Sequence, residues 1–353
     1  MGNTKINQIG IIGGGISAVM LCNEAAKLGI KTTLLDPAID CIGSELVNEH
    51  IIGAITPSNI EKLSLRCDVL IFNQKINFKL ELKTSILTLP SIETLNTLYD
   101  FRKTNDLLED LEIPVPDYYC QDANTACFNK LDGITLPLKL IKNFDNHCEE
   151  FIALTPDDLA DFILETGTTP DSFIIAPIQD YKYTVTFICT FDSSKKFFSY
   201  EPTISHEVIV DAPIPESKAL ADIEANLELS KTMINRLNKY NKKLLQSLDS
   251  MGCYTIKYGI TSNKSPVLID VSPEIDTCGL ITNASYDVSI YKQVLYMIYL
   301  MILPKPEKLL SLYGYRCSIC DTNYLGKSTP HFVDLYNIGN SGYYIKDNNS
   351  LTR

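Results

Sequence analysis

A glycine-rich turn near the start of the chain carries the first residues whose spacing suggests chemistry. In the segment IGIIGGGISAVM, Gly13, Gly15 and Ala18 have the spacing G-x-G-x-x-[GA] between a buried strand and an amphipathic helix, and Asp36 ends the next strand. This pattern is typical of dinucleotide binding, in which the helix N-terminus holds a pyrophosphate and the acid binds a ribose hydroxyl. The same residues also suit a tight strand-to-helix turn that binds no dinucleotide, so both interpretations stay open.

The composition argues against several classes of protein. The chain has 353 residues and a net charge of −12, which argues against nucleic-acid binding because phosphate recognition needs a basic surface. The apolar run from Val294 to Pro304 is too short to span a bilayer and predicts a buried helix. The polar first residues do not resemble a signal peptide, so the 11 cysteines are expected to be reduced thiols in a cytoplasmic protein.

The order of elements predicts three regions. Strands and helices alternate from residue 9 to about residue 90, which indicates a parallel sheet with helices on both faces. Farther along, YTVTFICTF and KKFFSYEP are predicted as paired strands, and CYTIKYGIT and SPVLIDVSPE as two strands joined by a turn. Ser91 and Thr155 stand where helix N-caps are expected. We therefore expect an α/β region, then an α+β region, then a small C-terminal piece.

Several segments resemble one family in order and spacing. They are GIIGGGISAVM, AAKLGIKTTLLDP, NEHII, RCDVLIFN, LEDLEIPVP and SIYKQVLYMIYLMILP. They resemble carboxyaminoimidazole ribonucleotide synthetase, an ATP-grasp ligase of purine biosynthesis. The resemblance implies an α/β fold with a Rossmann-like N-terminal domain (1–97), an ATP-grasp central domain (98–304, with a lid at about 117–180) and a small C-terminal domain (305–353). It also implies a homodimer.

The resemblance gives the glycine turn a different role from dinucleotide binding. In the family this turn lies beside the nucleotide substrate, which implies that Gly13, Gly14 and Gly15 bind substrate and that no NAD or FAD is held. The family reaction uses ATP, bicarbonate and magnesium to carboxylate an amine of a ribonucleotide. Catalysis of phosphoryl transfer rests mainly on positioning and charge neutralisation, so the lysines, the phosphate loop and the metal ligands can each be sought in this chain.

The phosphate-binding residues are only partly present. The family's helix lysine falls on Asn105, and Lys103 one turn away is the candidate substitute. Lys139 in LPLKLIK matches the second ATP lysine, although a solvent-facing strand lysine would fit equally well. The family's glycine-rich loop corresponds to NFDNHCE, residues 143–149, which contains no glycine. Glycine permits the close approach of backbone N–H groups to phosphates, so this cradle is expected to be impaired.

The magnesium ligands also differ from the family pattern. Lys257 stands where the family has a glutamate, whereas Asp270 keeps a carboxylate at the second position and is the candidate metal ligand. Glu274 replaces an arginine, and the substrate loop becomes DTCGL, residues 276–280. Lys257 and Asp270 are expected on adjacent strands, where an ion pair between them is favoured over a metal site.

Three hypotheses follow from the sequence. The first is a diverged ATP-grasp protein with little or no activity in the family reaction, which binds a nucleotide or a partner. The second is an active ligase with altered chemistry that uses Lys139, Asp270 and new residues such as Glu274 or Asp276. The third is an NAD- or FAD-dependent oxidoreductase built on the opening glycine pattern. Magnesium-dependent ATP binding would separate the first two hypotheses.

Overall fold

A computed structural model describes most of the chain. It covers residues 6–120, 136–144, 147–165, 173–179, 181–205 and 229–309, together with the backbone of three later strands, 312–318, 332–338 and 341–347.

The N-terminal region is a parallel sheet of five strands with the order β3-β2-β1-β4-β5. The strands are β1 (Gln8–Ile12), β2 (Lys31–Asp36), β3 (Glu49–Ile52), β4 (Val69–Phe72) and β5 (Leu87–Leu89). Their apolar side chains alternate between two cores: Ile9 and Ile11 face one, whereas Ile12 and Leu35 face the other. Burial of both faces explains the near-continuous apolar runs, because a parallel sheet must be covered on each side.

Four helices flank or follow this sheet. They are α1 (Ile16–Lys27), α2 (Pro57–Ser64), α3 (Ile92–Leu98) and α4 (Phe101–Asp110). The predicted cap is present, since Ser91 Oγ accepts a hydrogen bond from Thr94 N at 3.2 Å. Asp100 caps α4 in the same way by accepting from the backbone N–H groups of residues 102 and 103. These local bonds satisfy N–H groups that have no partner within the helix.

The central region contains two further sheets. A four-stranded sheet has the order β6-β9-β7-β8, and a larger one has the order β11-β10-β13-β14 with β12 paired to β10. The strands are β6 (Tyr119–Cys120), β7 (Leu138–Phe144), β8 (His147–Ala153), β9 (Phe173–Pro177), β10 (Tyr183–Phe191), β11 (Phe197–Ser199), β12 (Thr203–Ser205), β13 (Gly252–Ile260) and β14 (Pro266–Ser272). The helices are α5 (Pro156–Glu165), α6 (Lys231–Leu248), α7 (Leu280–Ser285) and α8 (Ile290–Tyr299). The predicted cap Thr155 accepts from Asp158 N at 3.2 Å.

The two faces of the larger central sheet pack against different parts of the chain. Alternate residues such as Phe187, Ile256 and Val271 pack with α6 in one core. On the opposite face, Ile188 and Cys253 join the core formed by α1 and α8. This second face therefore packs the central region against the N-terminal region.

The remaining strands complete the α/β architecture. The strands β15 (Leu312–Ser318), β16 (Phe332–Ile338) and β17 (Ser341–Asp347) form an antiparallel sheet with the order β15-β17-β16. The buried helix predicted for the run 294–304 ends earlier, at Tyr299, and Met301 is exposed. Within the described ranges no helix is long and apolar enough to cross a bilayer. The domain boundaries at residues 97 and 304 stay predictions.

Candidate functional site

A row of polar residues crosses three neighbouring strands on the face that looks toward the N-terminal sheet. Thr186 on β10 pairs in register with Lys257 on β13, which pairs with Asp270 on β14. Because strand side chains alternate between faces, these three lie on the face opposite to Phe187 and Ile256. The predicted adjacency of Lys257 and Asp270 is confirmed, and we use the term cleft for this row together with the charged side chains next to it.

Lys257 forms its ion pair with a residue other than its cross-strand neighbour. Its Nζ lies 2.6 Å from Asp276 Oδ2, so the expected ion pair with Asp270 is wrong. The reason lies in the chain after β14, which folds back over Thr255. The hydroxyl of Thr255 donates to Glu274 O at 2.6 Å and accepts from Asp276 N at 3.1 Å. These two hydrogen bonds position the Asp276 carboxylate next to the Lys257 ammonium.

Asp270 instead has a partner from the N-terminal region. Lys75 Nζ, in the loop after β4, lies 3.4 Å from Asp270 Oδ1. Both side chains are partly exposed, at 44% for Lys75 and 34% for Asp270. This contact places the cleft between the carboxyl end of a parallel strand and the central sheet. Ligands of open α/β sheets bind outside the carboxyl ends of strands, so the position is a reasonable one for a functional site.

The cleft gathers three carboxylates and two ammonium groups. Glu274 is the third acid; burial raises its pKa above the usual value, and the charges of Asp270 and Asp276 raise it further. Burial alone would lower the pKa of Lys257, but its hydrogen bond to Asp276 and the nearby acidic charges raise it above its ordinary value. Burial alone would raise the pKa of Asp276, but the bond and charge of Lys257 lower it. The ion pair is therefore fully charged at neutral pH.

The glycine turn borders this cleft and is closed by its own chain. The Asp36 carboxylate accepts a hydrogen bond from Gly14 N at 2.7 Å through Oδ2, and another from Ala38 N at 2.9 Å through Oδ1. A Cβ added to Gly14 would lie 2.5 Å from Cys41 Sγ. Gly13 has a φ of +97° and packs against Gln74, the neighbour of Lys75. Gly15 is open, since a Cβ there would meet no atom within 4 Å.

This arrangement bears on the dinucleotide interpretation of the turn. In a dinucleotide site the backbone N–H groups face a pyrophosphate and the strand-end acid faces a ribose. Here Asp36 satisfies Gly14 N itself, so the acid and one of the N–H groups are already paired with each other. The geometry therefore favours a tight turn over a dinucleotide cradle.

The two predicted nucleotide lysines lie on elements other than the cleft floor. Lys139 is on β7, where its Nζ is 2.6 Å from Glu150 Oε2 on the neighbouring strand. Lys103 pairs with Asp100 at 3.3 Å and lines an open groove with Glu93 and Asn96 of α3. Asn105, at the position of the family's lysine, is buried and donates to Phe101 O at 2.8 Å. It therefore serves the helix and not a ligand.

The segment that corresponds to the family's glycine loop contains the ends of two antiparallel strands, β7 and β8. Asn143 and Phe144 end β7 and pair in register with Cys148 and His147 of β8. Only residues 145 and 146 join the two strands, and they lie outside the described residues. Antiparallel pairing uses alternate N–H groups of each strand, and an extended strand does not gather the remaining N–H groups around one phosphate as a glycine-rich loop does.

The cleft residues do not fit a magnesium ion as they stand. Mg²⁺ requires near-octahedral oxygen ligands at about 2.0–2.1 Å, and Lys257 already holds Asp276. Across the residues that the structure describes, no group of three His, Cys, Asp or Glu side chains is arranged to hold a metal. Asp270 keeps the accessible carboxylate on which the predicted metal role depends.

Lys75 escaped the sequence analysis, as did the partner of Asp276. Lys75 lies three residues after the buried strand β4, and its position beyond a strand's carboxyl end was the available signal. Asp276 was a candidate residue of an altered ligase, but nothing in the sequence links it to a lysine 19 residues earlier. The folding of the chain over Thr255 creates that link.

The chain is similar in sequence to a group of ribonucleotide enzymes. The family model of the ribonucleotide synthetase preATP-grasp domain matches residues 6–97. The chain is 23% identical over 267 residues to N5-carboxyaminoimidazole ribonucleotide synthase of Synechocystis sp., covering 72% of this chain but only 63% of that relative, less than two thirds of its length. It is 23% identical over 297 residues to the Brucella melitensis synthase, covering 81% of this chain and 79% of that one.

Solved structures share the fold over nearly the whole chain. N5-carboxyaminoimidazole synthetase from Staphylococcus aureus has a TM-score of 0.74 at 17% identity, covering 98% of this chain and 95% of that one. The synthase from Aspergillus clavatus, solved in complex with ADP and 5-aminoimidazole ribonucleotide, has a TM-score of 0.72 at 16% identity and covers 98% and 94%. These findings confirm the predicted fold class and the resemblance read from the sequence.

Proposed function

We propose that this chain, which shares the fold of the N5-carboxyaminoimidazole ribonucleotide synthetases, is an ATP-grasp ligase-like protein that binds nucleotide without metal-dependent carboxylation. One observation carries the proposal: the Lys257 ammonium lies 2.6 Å from Asp276, among the acids where a magnesium ion would be needed. A magnesium ion acts as a Lewis acid and stabilises the negative charge of the transition state by roughly several kcal/mol. An ammonium group does not supply that chemistry.

The proposal assigns roles to the predicted site residues. Lys139 and Lys103 neutralise nucleotide phosphates from β7 and α4, and the turn of Gly13, Gly14 and Gly15 forms a wall of the substrate pocket. The ADP held by the Aspergillus clavatus synthase, and its ribonucleotide, support a nucleotide and a ribonucleotide as the ligand classes. We also propose that the protein is a cytoplasmic homodimer, and this part of the proposal rests only on the resemblance to the family.

A second candidate keeps the catalytic function with altered chemistry. The observation in its favour is that Asp270 is 34% exposed and that Lys75, at 3.4 Å, is its one ammonium contact among the residues that the structure describes, so its carboxylate remains accessible. In this candidate Asp270 binds the metal, and the chain is an ATP-dependent ligase with a different substrate. The binding of ATP in the presence and absence of magnesium distinguishes the two.

Isothermal titration with ATP, in chelator and in excess magnesium, tests the proposal. We expect a nucleotide affinity that magnesium changes by less than about threefold, because the cleft supplies its own cation. An increase of about tenfold or more with magnesium would support the second candidate instead. No binding at high micromolar ATP would leave the chain as a scaffold without a nucleotide site.

Substitutions of the Lys139–Glu150 pair should change nucleotide affinity in opposite directions. Lys139→Met is expected to weaken ATP binding about tenfold through loss of a phosphate contact. Glu150→Gln is expected to strengthen it, because the carboxylate at 2.6 Å competes with phosphate for the same ammonium. Titration of both variants measures the effect.

A second lysine provides the matched control for that pair. Lys27 forms an ion pair of the same 2.6 Å length with Glu24, on α1. Lys27→Met should leave ATP affinity and the melting temperature nearly unchanged, since exposed ion pairs contribute little. Equal affinities for the Lys139 and Lys27 variants would remove Lys139 from the nucleotide site.

A further inference from the structure

We infer that a second copy of this chain docks on the exposed face formed by the basic side of α6 and the acidic end of α4, so that each copy sets its basic half against the acidic half of the other. The inference deepens the homodimer proposed above by naming its surface, and it rests on that part of the proposed function alone. It is tested without nucleotide, so its failure is separate from a failure of ATP binding.

The basic side of α6 is the first half of this face. The helix has five basic residues and no acidic one, although the whole chain carries a net charge of −12. All five side chains are exposed, and they form no ion pair with the residues that the structure describes: Lys231, Arg236, Lys239, Lys242 and Lys243. Lys239 neighbours Lys242 and Lys243 at helical spacings of three and four residues, and like charges at these spacings destabilise a helix.

The acidic end of α4 is the second half of the face. Four exposed acids lie in or just beyond the second half of this helix, and they have no ion-pair partner within the described part of the chain: Asp106, Glu109, Asp110 and Glu112. The C-terminal end of a helix carries a partial negative charge, which disfavours acidic residues there. Both halves therefore break a local charge rule, as is typical of residues that serve binding instead of folding.

The two halves adjoin each other on one surface. Lys243 Nζ donates a hydrogen bond of 2.6 Å to Leu111 O, and Leu111 lies between Asp110 and Glu112 in the chain. Apolar residues of both helices also pack into the same core beneath this face. The positive and negative halves are therefore side by side and are held in place by the same core.

Charge complementarity selects a second copy as the partner. A nucleic acid or another strongly anionic partner that reached the basic half would be repelled by the acidic half beside it, and a cationic partner would be repelled by the basic half. In a twofold-symmetric dimer, residue i of one copy contacts residue j of the other and the reverse contact is also made. A face with adjoining halves of opposite charge is therefore complementary to itself.

Sedimentation equilibrium of the full chain measures this association. We expect a dimer whose dissociation constant rises at least about tenfold between roughly 0.05 and 0.5 M salt, because exposed charges are screened. Reversal of the basic half, in Lys239→Glu/Lys242→Glu, is expected to weaken the dimer at least about tenfold. Reversal of the acidic half, in Asp110→Lys/Glu112→Lys, is expected to weaken it to a similar extent.

An equimolar mixture of the two variants provides the sharpest measurement. Each variant alone brings two halves of like charge together, whereas a mixed dimer pairs acidic with acidic-complementing basic halves at both contacts. The mixture should therefore associate within about threefold of the wild-type dissociation constant. The failure of the mixture to associate more tightly than either variant alone would overturn the inference.

A matched variant controls for the change in net charge. Lys31 and Lys62 are exposed in the N-terminal region, so Lys31→Glu/Lys62→Glu adds the same negative charge elsewhere and should change the dissociation constant less than about threefold. The single reversals Lys242→Glu and Glu112→Lys repeat the mixing test should either double variant be unfolded by circular dichroism. A wild-type dimer that none of these reversals weakens would overturn the inference and leave the homodimer standing. A monomeric wild type at low salt would overturn both.

Discussion

Asp276→Ala is expected to lower the free energy of unfolding by about 2–3 kcal/mol at pH 7. The change leaves the Lys257 ammonium, whose side chain is 33% exposed, without the carboxylate that it contacts at 2.6 Å. It also removes the acceptor of Cys278 N, which caps the short 3₁₀ turn Thr277–Gly279. Breaking a fully buried pair costs about 3–5 kcal/mol, and the partial exposure of this pair reduces the figure.

The effect of this substitution should depend on pH in a predictable way. The pKa of Asp276 is lowered from its ordinary value of 3.8, so its contribution is present above that value and is lost as the pH falls through the lowered pKa. The pKa of Lys257 is raised from 10.5, so its contribution is present below that value and is lost as the pH rises through the raised pKa. The difference in stability between wild type and variant should therefore be constant between these two limits.

Urea unfolding at several pH values measures this difference. The control is Glu81→Ala, which breaks an ion pair of the same 2.6 Å length in which Glu81 is 76% exposed, and which should change stability little. Asp276→Asn should be milder than the alanine variant, because its amide oxygen still accepts from Cys278 N. Equal losses for the Asp276 and Glu81 variants would mean that the cleft pair is no stronger than a surface pair.

The sequence predicted the elements of the cleft better than their contacts. Two alternating strands joined by a short turn predict that Lys257 and Asp270 lie on adjacent strands, but a register shift between Lys257 and Tyr258 is what brings the two residues directly opposite each other. The ion-pair partner of Lys257 could not be predicted, because it depends on the chain folding back over Thr255 after β14 ends. Which of several nearby acids an ammonium reaches is decided by such tertiary bonds.

The contact between Lys75 and Asp270 could not be predicted from the sequence for a similar reason. The two residues are 195 positions apart, and they meet only because α1 and α8 pack the central sheet against the parallel one. Asp36 illustrates the opposite problem. Its position fits a ribose-binding acid, yet the same position lets its carboxylate bond Gly14 N, and a spacing pattern does not distinguish the two uses.

Gly14→Ala is expected to destabilise the protein by about 3 kcal/mol, because the glycine turn is closed by side chains that an added methyl group would displace. The new Cβ would lie 2.5 Å from Cys41 Sγ and 3.1 Å from Asp36 Cγ. Movement of Asp36 would weaken its bonds to Gly14 N and Ala38 N as well. Thermal and urea unfolding measure the loss.

Gly15 is the matched control, one residue farther along the same turn. It is exposed, its φ of −69° suits any residue, and a Cβ there meets nothing within 4 Å, so Gly15→Ala should cost well under half as much. Adding Cys41→Gly to Gly14→Ala should recover part of the loss, since the nearest clashing atom is then absent. If the turn were instead an open cradle for a ligand, both alanine variants would be equally mild and the second change would recover nothing. The ranking of these three variants therefore reports whether Asp36 and Cys41 fill the turn in solution.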